Sequence, residues 1–211
     1  MEKLKSSLIN MVGVLTGVAL ITAGLLAYVN HVTEGPKTVK AQNTLAAGIK
    51  SVMGTEQLTV SKTDTIIQAD AKGKELTYIV YNTVDAQEKY LGAAVQATTL
   101  GFGGDLSVLV GFDGEGKILG YTVLKHAETP GLGAKATDWF QKGQKGDIIG
   151  KSPKEKELKV TKDGGDIDAI TASTITSRAF LNAINQAYAV YAKGEADGES
   201  GATKQQKEKE E

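Results

Sequence analysis

The chain has 211 residues, a formal net charge of −1 and no cysteine. Near-neutral charge, with a single arginine at Arg178 and no basic patch interleaved with aromatics, argues against a nucleic-acid partner. The lack of cysteine excludes thiolate metal sites, iron–sulfur clusters and disulfides.

Residues 8–29 (LINMVGVLTGVALITAGLLAYV) carry no charge. At about 1.5 Å per residue, such a run crosses a hydrocarbon core of roughly 30 Å as a helix. It exceeds the apolar region of a signal peptide, and no small-x-small site follows, so an uncleaved anchor is expected. Lys3 and Lys5 precede it. Positive charge before a first span places residues 1–7 in the cytoplasm and the rest outside, as a single-pass protein of the inner membrane.

Beyond the span, Val39–Val52 has helical spacing at Val39, Leu45, Ile49 and Val52, and Gly54 is placed to end it. Leu58–Val60, Thr65–Gln68, Leu76–Tyr81 and Ala93–Thr99 read as strands, the last followed by Gly101, Gly103 and Gly104. Leu106–Phe112 and Lys117–Lys125 flank Asp113-Gly114, a strong hairpin signal. Ala134–Lys142 reads as a short helix, 145–156 as surface loops, and Leu158–Val160 as a short strand. Thr176–Ala192 is the best amphipathic helix, with Phe180, Ile184, Ala187 and Tyr191 on one face. Residues 194–211 are polar and without aromatics, the composition of a disordered tail. Strands joined by short turns, with helices later, predict an α+β domain over 30–193 with a mixed or antiparallel sheet and flanking helices.

Two segments concentrate reactive groups. In Lys125–Gly133 (KHAETPGLG), Pro130-Gly131 suits the centre of a type II turn. There, His126, Glu128 and Thr129 share one loop, and Gly133 leaves room for a flat ligand. Most such loops only connect. In Asp168–Arg178 (DAITASTITSR), five hydroxyl residues precede or open the best helix. One or two would suffice as caps. A helix N-terminus also favours a phosphate, and Arg178, one turn after Thr174, is placed to reach a phosphate or a carboxylate.

Together, GFGGDLSVLVGFDGEGKILGYTVLKHAETPGLG and DAITASTITSRAF resemble the FMN-binding G subunit of Rnf-type ion-translocating electron transport complexes. The C subunit of sodium-translocating NADH:quinone reductase is similar. The likeness covers roughly 101–192, with a matching N-terminal anchor. It implies an electron-carrying subunit in which a flavin transferase joins FMN, through its phosphate, to a threonine. The implied motif is Asp-x-x-Ser/Thr-Gly-Ala-Thr. Asp168, Thr171 and Thr174 match it, while Ala172 stands for the usual Gly and Ser173 for the usual Ala. By resemblance, Thr174 bears the FMN and Asp168 serves transferase recognition. Glu128, Thr129, Leu132, Gly133, Thr171, Ala172 and Ser173 surround the cofactor. Other membrane subunits are its implied partners.

Asp197-Gly198-Glu199-Ser200-Gly201-Ala202-Thr203 matches the motif without departure. The tail lacks apolar residues to seat a ring, so Thr174 is the expected acceptor and Thr203 its competitor. Two other readings, a C-type quinone reductase subunit and a membrane-anchored flavin-binding sensor, remain. A sensor calls for further spans or an output domain, and the sequence shows neither.

Overall fold

The computed structural model describes residues 8–69 and 75–193. Segment 1–7, expected in the cytoplasm, and the tail with Thr203 lie outside the described residues. The chain divides into two compact units, Met1–Leu45 and Ala46–Glu211.

The first helix, α1, spans Leu8 to Met53. The expected span and the expected helix at 39–52 are therefore one element. Polar residues after Val29 interrupt the apolar pattern, but pattern records burial, whereas helicity needs only i→i−4 backbone bonds. Leu8–Thr33 is long and apolar enough to cross a membrane. Its large apolar side chains, from Leu8 to Val32, stand exposed, as lipid-facing residues do. Gly54 ends α1 at φ +67°, and its N–H bonds to the Ser51 carbonyl at 3.3 Å.

Five antiparallel strands follow in sequence order: β1 Thr59–Ala69, β2 Glu75–Val84, β3 Tyr90–Leu100, β4 Asp105–Asp113 and β5 Ile118–Lys125. The two strands expected before residue 70 are one strand with a register shift between Val60 and Lys62. The Asp113 hairpin forms as its sequence predicts. Asp113 Oδ1 accepts the N–H groups of Glu115 and Lys117, and Gly116 takes φ +84°.

Side chains alternate between the two faces of the sheet. One face (Tyr78, Val80, Val95, Val108, Val110, Phe112) packs on α3, Thr174–Lys193. Phe112 meets Tyr188 and Tyr191 at ring distances of 5.6 and 5.3 Å, and Tyr78 Oη donates to Gln186 at 3.0 Å. The other face is pared to glycine where the last two turns of α1 lie on it. A Cβ at Gly111 would sit 2.4 Å from the Val52 carbonyl oxygen, and one on its cross-strand partner Gly120 would sit 3.0 Å away. Covered on both faces, β4 is buried from Leu106 to Phe112, which explains why its apolar residues do not alternate with exposed polar ones.

Between β5 and α3 the chain is mostly irregular. The helix expected at 134–142 is a 3₁₀ turn, Gly133–Lys135, leading into α2, Ala136–Trp139. It stops there because Phe140 turns inward to stack on Phe180, with ring centroids 4.4 Å apart. Leu158–Val160 is not a strand. The Asn185 side chain takes both the N–H and the carbonyl of Leu158, each at 3.0 Å, and only Val160 bridges, in parallel, to Ile167.

Candidate functional site

The start of α3 lies two residues earlier than its apolar periodicity suggests, so Thr174 is the first helical residue. Ser177 explains part of the hydroxyl surplus. Its Oγ accepts the Ile170 N–H at 2.9 Å and donates to the Ser173 carbonyl at 3.0 Å, pinning the approach to the helix. Thr174 is only half-buried. Ala172 takes φ +61°, a left-handed conformation that an L residue with a Cβ adopts at a cost of roughly 1–2 kcal/mol. The glycine of the related motif would adopt it freely.

Arg178 finds a carboxylate. Its Nε donates to Asp163 Oδ2 at 2.7 Å and its Nη2 to Asp163 Oδ1, a bidentate pair that fastens α3 to the turn at Thr161–Asp163. The Asp168 side chain is exposed, while its carbonyl accepts the Trp139 indole N–H at 2.8 Å.

The 126–133 loop is shaped by its own bonds. The Thr129 carbonyl accepts the Leu132 N–H at 3.1 Å across Pro130-Gly131, and Gly131 has φ +76°, as a type II turn requires. His126 is exposed, and its Nδ1 accepts the Glu128 N–H at 3.2 Å. Glu128 is buried, 6% exposed, with both carboxylate oxygens engaged. Oε1 accepts the N–H groups of Phe102 and Gly103 at 2.8 and 3.2 Å, and Oε2 accepts the Thr176 hydroxyl at 2.7 Å. The space beside Gly133 is filled from within. A Cβ there would lie 2.4 Å from Glu128 Oε2, so the missing side chain makes room for that carboxylate.

These segments enclose a cleft of about 380 Å³, within the range of small-molecule sites. Phe102, Leu132 and Ile175 supply its apolar walls, and Ser173, Thr174 and Thr176 the wall at the start of α3. Phe102 and Leu132 are 70% and 41% exposed, large apolar side chains left bare at the cleft. A second groove of similar volume lies on the other side of the α3 start, lined by Trp139, Lys145, Lys162 and Asp168. Ala172 and Thr174 line both.

Of the residues expected around a cofactor, Glu128, Thr129, Leu132, Gly133, Ala172, Ser173 and Thr174 line the first cleft together. Thr171 and Asp168 line the second groove. His126 and Arg178 line neither. Phe102, Ile175 and Thr176 join the cleft without having been expected there. Phe102 had a signal, an aromatic set among Gly101, Gly103 and Gly104 just after a strand. Among the described residues, no group of three or more His, Asp or Glu is placed to hold a metal ion.

Residues 101–189 match the family described as FMN-binding domain. The chain is 32% identical over 187 residues to the G subunit of the ion-translocating oxidoreductase complex of Shewanella oneidensis, covering 85% of this chain and 87% of that protein. The protein of the same name from Shewanella piezotolerans is 33% identical, with 83% and 85% covered, and that of Salmonella typhi is 32% identical, with 79% and 82% covered. Among solved structures, the crystal structure of Shewanella oneidensis NqrC shares the fold at a TM-score of 0.50 and 16% identity, over 82% of this chain and 100% of that one.

Proposed function

The chain belongs to the family of G subunits of ion-translocating oxidoreductase complexes, and from that premise we propose that it is the electron-carrying member of such a complex, holding FMN as a phosphoester on Thr174. The observation that carries the reading is the position of Thr174. It is the first residue of α3 and lies on the wall of an apolar cleft bounded by the 126–133 loop.

The residues present suit FMN. A phosphodiester on Thr174 Oγ would lie at a helix N-terminus, where unpaired backbone N–H groups and the helix dipole favour an anion. Phe102, Leu132 and Ile175 offer apolar surface to a flat ring, and Thr129 offers a hydroxyl at the rim. FMN supplies reversible electron uptake, tuned by the charges and hydrogen bonds around it. Attachment to Thr174 keeps the carrier from diffusing away. The α1 span anchors the chain among the other membrane subunits, with residues 1–7 in the cytoplasm and the domain on the extracytoplasmic side of the inner membrane. A flavin transferase acts during maturation, with Asp168 as its recognition residue; the exposed side chain, close in sequence to Thr171, is accessible for that contact.

The test is in-gel flavin fluorescence after denaturation, which retains only covalent flavin. Wild-type protein fluoresces and Thr174→Val does not. Tryptic mapping separates Thr174 from Thr203, because Asp163–Arg178 and Gly194–Lys204 are different peptides. Flavin mass only on the second peptide would overturn the assignment.

A further inference from the structure

The Glu128 carboxylate joins three stretches of chain at the cleft wall. Oε1 takes the N–H groups of Phe102 and Gly103 in the turn after β3, and Oε2 takes the hydroxyl of Thr176 in the first turn of α3. Glu128 itself belongs to the loop after β5. Two glycines make room for it, and a third makes room for the backbone that carries it. A Cβ on Gly101 would stand 2.1 Å from Oε1, and one on Gly133 would stand 2.4 Å from Oε2 and 2.7 Å from Thr176 Oγ1. A Cβ on Gly103 would stand 2.1 Å from the carbonyl oxygen of the preceding residue, Ala127. Each of these carboxylate bonds runs to the protein itself, and each oxygen is already engaged.

We propose that Glu128 is a positioning residue that clamps the Phe102 turn to the start of α3. It thereby holds the two walls of the flavin cleft at a fixed separation, acting through Phe102 and Thr176 rather than on the flavin ring. This rests on the FMN reading for the identity of the ligand, but not for the clamp. The bonds that form the clamp are complete within the protein. Phe102, 70% exposed, is the side chain whose place the clamp decides. Without it, the turn at Gly101–Gly104 would keep one cross-link of its own, the Gly101 N–H to the Gly104 carbonyl at 2.8 Å, and be free to swing from the cleft.

Two substitutions separate a clamp from a charge. Glu128→Gln preserves length and shape, so its amide oxygen can still accept from Phe102 and Gly103 and its NH₂ can meet the Thr176 hydroxyl. Glu128→Asp keeps the charge and loses the reach. The first readout is amide hydrogen exchange at Phe102 and Gly103 in full-length protein carrying Thr174→Val, which needs no flavin. The clamp predicts that Asp speeds exchange by more than roughly tenfold and Gln by less, because losing hydrogen bonds to a carboxylate frees local opening. Equal acceleration by both variants, or by neither, would overturn it. The second readout is the flavin midpoint potential in otherwise wild-type chains. A shift in Asp with little in Gln supports the clamp, and a shift in Gln with none in Asp would make the charge the operative group. If wild-type protein carries no flavin, the FMN reading fails while the exchange result still judges the clamp.

Discussion

The two depressions that flank Thr174 have the same volume and opposite chemistry. On one side are Phe102, Leu132 and Ile175, and on the other Lys145, Lys162 and Asp168 with Trp139. Under the proposed function, the difference lets one hydroxyl serve two needs. The apolar side suits a ring that must sit in a defined place. The polar side suits passing contacts with water or a maturation partner. Their shared residues, Ala172 and Thr174, form the seam, and Ala172 there has a left-handed backbone at φ +61°.

The comparison breaks most readily at Gly133. Replacing it with alanine puts a methyl where Glu128 and Thr176 meet, and overpacking of this kind costs about 1–3 kcal/mol. Chemical denaturation should report that loss, with the apolar cleft distorted and the lysine groove intact. A loss confined to the lysine groove would show that the two sides are not independent. At the seam, Ala172→Gly relieves the left-handed strain but loosens the unfolded chain, for a net gain of up to about 1 kcal/mol by the same measurement. A destabilised variant would mean that the methyl packs usefully. Behind the polar groove, Arg178→Lys trades the bidentate pair with Asp163 for a single contact. At a partly exposed site this should cost at most about 1 kcal/mol. The smallest effect is expected from Lys145→Ala combined with Lys162→Ala. Flavin fluorescence anisotropy should stay at the wild-type value, whereas Phe102→Ala should lower it. Reversal of those two results would place the ring in the lysine groove.

Much of the fold is legible in the amino-acid order. The span, the Asp113 hairpin, the strands of the meander and the amphipathic α3 each follow from periodicity or turn chemistry. The α+β class follows from their order. Local rules miss where side chains replace regular bonding. Leu158 reads as a strand residue because it is apolar and buried, but its backbone bonds to Asn185. Arg178 reads as available for a phosphate because Asp163 lies 15 residues away, a pairing that no local pattern records.

The site is legible as a set of residues and illegible as an arrangement. Resemblance brings together Glu128, Thr129, Leu132, Gly133 and the threonine at 174, and the cleft contains them all. Folding gives two of them contacts that the sequence does not show. Glu128 commits both oxygens to Phe102, Gly103 and Thr176, and the missing side chain at Gly133 makes room for that carboxylate. The amino-acid order by itself determined the apolar span, the sheet and the amphipathic helix over 176–192, because these depend on spacing and local backbone preference. Only the tertiary structure decided the clamp, the Phe102 wall and the capture of Arg178. Each depends on hydrogen bonds between residues far apart in sequence, and a buried polar group binds whichever partner the packing brings within reach.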